Sequence, residues 1–289
     1  MIKNILIIGG TNFIGPIIVK KLLKINNYKL SMVNRTGNNL NIKDINVIKC
    51  DRNSSEFIDI LISKKFDIII DMCLYKITQL KKIFNVLKDK KAKYIFISSI
   101  ASYKKSNIFP VNESSELGEW DLFGDYGKEK MLCEKYLINQ NKVSYVIIKP
   151  TYILGINNYI NREKYYIDKI LNNETIYIHE NGNALIQFVD VEDVAESVFR
   201  CTSDDIINQT FNISNDTISD IHYLINIISN MLKKSNKIKY IETFNNEIPF
   251  KNQHVLIDNS KSKKLLNIKY INLEEMIKKY LKEYKHYTK

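Results

Sequence analysis

The sequence predicts an α/β protein, a doubly wound parallel sheet followed by a smaller C-terminal α/β lobe, and three observations predict it. The chain opens on a continuous apolar run, Ile5, Leu6, Ile7 and Ile8, of the kind buried on both faces of a parallel sheet. Gly9 and Gly10 break the run, and Phe13, Ile14, Ile17, Ile18, Leu22 and Leu23 then recur at helical spacing. Strand-like and helix-like stretches go on alternating as far as Pro150, the rhythm of βαβ units.

Taken in order, a second strand is expected over residues 29–34 (KLSMVN), ending at Arg35, and a third over 45–49, ending at Cys50 and Asp51. A helix over 56–65 leads to a fourth strand over 66–71 (FDIIID), and a helix over 77–88 to a fifth over 93–98 (KYIFIS). A polar, partly aromatic loop runs from 99 to 125. A helix over 126–139 and a strand over 144–149 (SYVIIK) then bring the chain to Pro150. Beyond it the rhythm loosens. Helices are expected over 160–171, 190–201 with Asp190 as N-cap, and 216–232; strands over 175–178, 209–213 and 238–242. The last helix has Leu273, Met276, Ile277, Tyr280, Leu281 and Tyr284 on one face, with Asn272 and Glu275 to cap its start. Residues 1–150 are therefore expected to form the sheet domain and 151–289 a small substrate lobe, some of whose segments return to the sheet.

Composition sets the outer limits. At 289 residues, 45% hydrophobic and 26% charged, the chain belongs to the globular class and not the disordered one. No apolar run reaches the length of a membrane span, and the first strand begins too soon to leave room for a signal peptide. Cys50, Cys73, Cys133 and Cys201 lie far apart with no C-x-x-C spacing and read as thiols in a reducing compartment, so a cytoplasmic location is expected. His179, His222, His254 and His286 form no ligand spacing, and no metal site is expected. A net charge of +11 raises the question of nucleic acid. The lysines come as scattered pairs, such as Lys20 with Lys21 and Lys278 with Lys279, on the polar sides of expected helices, so solvated faces explain them more simply.

The chemistry starts at residues 9–15, GGTNFIG. Strand, tight glycine turn and helix in that order suit a dinucleotide pyrophosphate: the turn brings backbone N–H groups to the phosphates and the helix N-terminus adds partial positive charge. Gly9, Asn12 and Gly15 keep the spacing of a G-x-x-G-x-x-G turn, with Asn12 in place of the middle glycine; asparagine tolerates a left-handed backbone, so the turn is expected to survive. Gly10, Thr11, Phe13 and Ile14 complete the expected Rossmann-type cradle. An acidic residue after the second strand would favour NAD; this chain has Asn34 and Arg35, and an arginine pairs with a 2′-phosphate, which puts NADP first and NAD second. Asp51 is placed to accept a hydrogen bond from the adenine amino group. Further on, Tyr126 and Lys130 lie four apart on an expected helix and so point the same way. A nearby ammonium lowers the phenol pKa from about 10 and makes it a usable proton carrier. Ser99, at the end of the fifth strand, is placed to hold a substrate oxygen in line with Tyr126.

These motifs, together with SSIASY (98–103), YGKEK (126–130), KPTYILG (149–155), FVDVEDVA (188–195) and IDNSKSKKLL (257–266), resemble the extended or atypical short-chain dehydrogenases/reductases, the NAD(P)-dependent epimerases and dehydratases, over nearly the whole chain. The resemblance implies Tyr126 as catalytic acid/base, Lys130 as its pKa tuner and ribose anchor, and Ser99 as the substrate-orienting hydroxyl, with Pro150 and the residues after it along the nicotinamide. It also implies hydride transfer at a carbinol or ketone carbon of a small molecule, with a nucleotide sugar as the family-level substrate class, and a homodimer through the helices at 77–88 and 126–139. GGTNFIG followed by VNR is especially similar to the atypical branch that includes the chloroplast stem-loop-binding proteins, some of which are associated with RNA. The alternatives to an enzyme are therefore an RNA-associated protein and a redox-sensing regulator on the same fold. The sequence departs from the family pattern at Asn12, at Lys149 where arginine is frequent, and at Lys104 after Tyr103 where a glycine is usual.

Overall fold

The run Ile5–Ile8 is buried on both sides, and its alternate residues enter different cores. Ile5 and Ile7 pack with Ile18, Val19 and Leu22 on one face of the sheet; Leu6 and Ile8 pack with Phe57, Leu80 and Phe84 on the other. That is the physical content of a doubly wound sheet. The computed structural model describes residues 2–245 and 247–287, the last three of these by backbone alone, so the side chain of His286 lies outside the description.

The first half follows the expected alternation. β1 (Lys3–Ile8), α1 (Ile14–Leu22), β2 (Tyr28–Asn34), β3 (Asn46–Lys49), α2 (Ser55–Ser63), β4 (Ile68–Asp71), α3 (Ile77–Leu87) and β5 (Lys93–Ile97) lead through a 3₁₀ turn, Ile100–Ser102, to α4 (Gly124–Asn139) and β6 (Ser144–Pro150). The second half contributes β7 (Tyr152–Leu154), α5 (Glu163–Leu171), β8 (Thr175–His179), β9 (Phe188–Asp190), α6 (Val191–Arg200), β10 (Gln209–Ile213), α7 (Ile221–Leu232), β11 (Lys237–Ile241), α8 (Ser260–Leu266) and α9 (Leu273–Tyr287). The main sheet has seven strands in the order β10-β6-β5-β4-β1-β2-β3, every neighbouring pair parallel. In this order the chain reverses direction of winding at β1 and β4, and ligands of such sheets lie outside the C-terminal strand ends at that point.

Differences from the sequence reading have local causes. α7 starts at Ile221, not 216, because Asp220 caps it by accepting from Tyr223 N at 2.8 Å, while Asp216 is taken by Asn259 and Lys263. α5 starts at Glu163, not 160, because Asn158 Nδ2 donates to Ile153 O and holds an irregular connection ahead of it. Asp190 caps α6 as expected, and Asn272 and Glu275 form the reciprocal cap of α9. β7, β9 and α8 were not foreseen; the two strands are three residues each and, among the described residues, pair with one another. A third core, with Tyr166, Ile167, Phe188, Leu224, Ile228, Leu273 and Ile277, lies beneath the second-half helices.

Candidate active site

The glycine turn links β1 to α1 at the winding reversal. A Cβ on Gly15 would lie 2.5 Å from the Gly10 carbonyl, so this position is confined to glycine by close approach of two backbone segments. The expectation that Asn12 carries the left-handed backbone is corrected: the positive φ values fall on Gly9 (+88°) and Phe13 (+51°). Asn12 instead closes the turn through its carbonyl, which accepts from Gly15 N at 2.9 Å. α1 starts with no side-chain cap and no acidic residue in its first turn. Its first N–H groups and its dipole thus meet the fit required for a pyrophosphate.

The residues expected at the adenosine end lie on the strands beyond. Arg35 is exposed just after β2. Asn34 organises that loop: its Oδ1 accepts from Thr36 N and Asn38 N, both at 3.1 Å. Asp51 is exposed after β3 and accepts from Asn53 N at 2.8 Å. Beneath them, Arg52 forms a two-point pair with Asp71 (2.7 and 2.8 Å), buried on both sides, and Tyr94 donates to the same carboxylate. Sequence reasoning missed this pair, although both members stand at C-terminal strand ends.

Tyr126, Lys130 and Ser99 come together at the C-terminal end of β5. Gly127 makes this possible, since a Cβ there would sit 2.4 Å from the Ala101 carbonyl oxygen, so α4 lies directly on the 3₁₀ turn that follows Ser99. Ser99 lies close enough to Tyr126 to lower its phenol pKa, and its Oγ accepts from Ala101 N at 3.2 Å. Tyr126 keeps 46% of its surface exposed, yet burial of its hydroxyl end raises its pKa above the ordinary tyrosine value; Ser99 and the charge on Arg162 pull the other way. Lys130 is buried, and its Nζ donates to Ile97 O at 2.8 Å and lies 5.6 Å from the Tyr126 ring centre. Burial pushes this ammonium down to about 8. Pro150 ends β6, buried beside Ile213.

Ser98, the neighbour of Ser99, serves the framework. It donates to Glu134, whose other oxygen pairs with Lys149 at 2.9 Å. The Lys149 ammonium sits 3.2 Å from the centre of the Tyr103 ring, and the Tyr103 hydroxyl donates to Asn212 Oδ1 at 2.8 Å. Tyr75, Tyr159 and Arg162 were also not foreseen. Tyr75 and Tyr159 are near enough to influence each other's ionisation, and Tyr159 lies edge-on to Phe13 at 6.2 Å. Tyr75 is readable in hindsight, four residues past the end of β4; Tyr159 and Arg162 stand in an irregular connection and carry no local signal. Among the described residues no helix is long and apolar enough to cross a membrane.

The sequence profile of the NAD dependent epimerase/dehydratase family matches residues 5–214. Chloroplast stem-loop binding protein of 41 kDa b from Arabidopsis thaliana is 26% identical over 231 residues, 74% of this chain and 59% of that protein. The chain thus spans about three-fifths of the length of this relative. A putative UDP-glucose 4-epimerase from Methanocaldococcus jannaschii is 25% identical over 304 aligned residues, covering 95% of this chain and 96% of the other. Among solved structures, UDP-glucuronic acid 4-epimerase from Bacillus cereus, in complex with UDP-glucuronic acid and NAD, superposes with a TM-score of 0.81 at 19% identity, over 97% of this chain and 99% of that one.

Proposed function

The chain belongs to the NAD dependent epimerase/dehydratase family, and on that premise we propose that it transfers a hydride at a carbinol or ketone carbon of a nucleotide sugar, with NAD as its dinucleotide. The observation that carries this reading is the convergence of Tyr126 and Ser99 beside the buried Lys130, whose Nζ lies 5.6 Å from the Tyr126 ring centre, at the strand ends that also hold the uncapped glycine turn. A bound nicotinamide ring supplies the hydride acceptor and donor. Ser99 donates a hydrogen bond to the substrate oxygen, and Tyr126 removes the proton from the substrate hydroxyl. The Lys130 charge, which forms no ion pair among the described residues, favours the phenolate that accepts it. Return of the hydride to the other face of the ketone, together with return of the proton from Tyr126 to its oxygen, would give the epimer.

NAD now stands before NADP. The NADP preference rested on Arg35, which is exposed in a loop shaped by Asn34, while the family description and the solved neighbour both name NAD. The division into residues 1–150 for the dinucleotide and 151–289 for the substrate is part of the same proposal, supported by a third core separate from the two that flank the sheet. Incubation of the purified protein with UDP-hexoses and UDP-hexuronic acids, with NAD or NADP supplied, tests the reading. A C4 epimer is expected, formed with a preference for NAD of about tenfold, the worth of one good ribose contact at roughly 1.4 kcal/mol. No turnover of any nucleotide sugar would overturn it.

A further inference from the structure

We propose that Tyr75 is a positioning residue that acts through Lys130: the face of its ring holds the buried ammonium in its place beside Tyr126. The proposal rests on the reading of Tyr126 as proton carrier. Lys130 Nζ lies over three rings, 4.7 Å from the centre of Phe96, 5.4 Å from that of Tyr75 and 5.6 Å from that of Tyr126. An ammonium has three N–H donors, and among the described residues this one makes a single hydrogen bond, to Ile97 O at 2.8 Å. The rest of its charge meets ring faces, whose negative potential favours a cation over a neutral amine.

The three rings differ in what else they do. Phe96 is fully buried on β5 and packs in the core with Leu80 and Phe84, while Tyr126 is the phenol itself. Tyr75 lies outside that core, half-exposed, and its backbone is pinned from two sides. On one side Gln79 Oε1 accepts from Tyr75 N at 3.1 Å and from Lys76 N at 3.2 Å, and Gln79 Nε2 donates to Asn53 Oδ1 at 2.8 Å. On the other, Ile77 N donates to Glu129 Oε2 at 2.8 Å, so the residue beside Lys130 on α4 satisfies the first N–H of α3. These bonds fix the segment that carries Tyr75 to the helix that carries Tyr126 and Lys130. The other titratable groups facing the ammonium are Asp71 and Cys73 from the end of β4, and Cys133 and Glu134 from α4. Asp71 is bound by Arg52 and Glu134 by Lys149, which leaves the ring faces as the close partners of the Lys130 charge.

The test labels the lysines of the full chain with ¹³C at Cε and follows their resonances with pH; the signal absent from Lys130→Met identifies Lys130. Tyr75→Leu keeps apolar cover over the ammonium but removes the ring, and is expected to lower the midpoint by about half a unit or more. Tyr75→Phe keeps the ring without its hydroxyl and is expected to leave the midpoint within about 0.2 unit of the parent. A midpoint unmoved by Tyr75→Leu, or moved as far by Tyr75→Phe, overturns the proposal. If Tyr75→Leu fails to fold, Tyr75→Met decides between the same outcomes. The titration needs no turnover, so a protein inactive on every nucleotide sugar but with a shifted midpoint would sink the enzymic reading alone. An active one with an unmoved midpoint would sink this proposal alone.

Discussion

Two lysines are buried at the same edge of the sheet, and burial pushes both ammonium groups down to about 8. Their surroundings differ. Lys149 meets the Glu134 carboxylate at 2.9 Å and the face of Tyr103, inside a closed network that reaches Ser98 and Asn212. Lys130 meets one backbone carbonyl and the faces of Tyr75, Phe96 and Tyr126, two of which open to the cleft. The Lys149 region spends its charge internally and holds β6 to α4. The Lys130 region holds its charge without an ion pair among the described residues, beside a half-exposed phenol, and the proposed role of Lys130 rests on that arrangement.

The sharpest way to break this comparison is to remove each charge. Lys149→Met strands Glu134 in the interior and is expected to cost about 3–5 kcal/mol in urea unfolding. Lys130→Met deletes a buried charge that has no carboxylate to strand, so about 1 kcal/mol or less of stability should go, while turnover falls by about 10²-fold or more. Equal stability losses for the two variants would show that the distinction between framework and site is wrong.

A smaller effect sharpens the same contrast with a buried acid. Burial raises the Glu163 carboxyl to about 7, against the bond from Gly155 N at 2.7 Å. The folded protein therefore holds a proton that the unfolded chain releases above 4.5, so stability falls as pH rises from about 4.5 to about 7 and stays lower beyond. Glu163→Gln should remove this slope. It should be more stable than the parent at pH 8 by roughly 1–3 kcal/mol and no more stable at pH 4, as read by thermal unfolding. An unchanged pH slope would place the Glu163 carboxyl in water.

Most of the fold was legible because its signals are local. An apolar run, a glycine turn and a helical period follow one another within the first 23 residues, and the later βα units repeat the apolar run and the helical period. Tyr126, Lys130 and Ser99 were legible because strand ends and a four-residue helical spacing fix where they point. Arg162 and Tyr159 were not, since only the long return of an irregular connection across the cleft gives them a partner. β7 and β9 were hidden for a related reason: strands of three residues are too short to show a period, and only their mutual pairing defines them. The Asn12 reading failed because a turn can move its strained residue by one position, here to Phe13.

The central claim is that one phenol carries the proton beside a dinucleotide. Tyr126→Phe, assayed for turnover of a nucleotide sugar and, in the same preparation, for NAD affinity, tests it most directly. The account predicts a loss of turnover of about 10²–10⁴-fold with NAD affinity within about twofold of the parent. Turnover kept within about tenfold would contradict it.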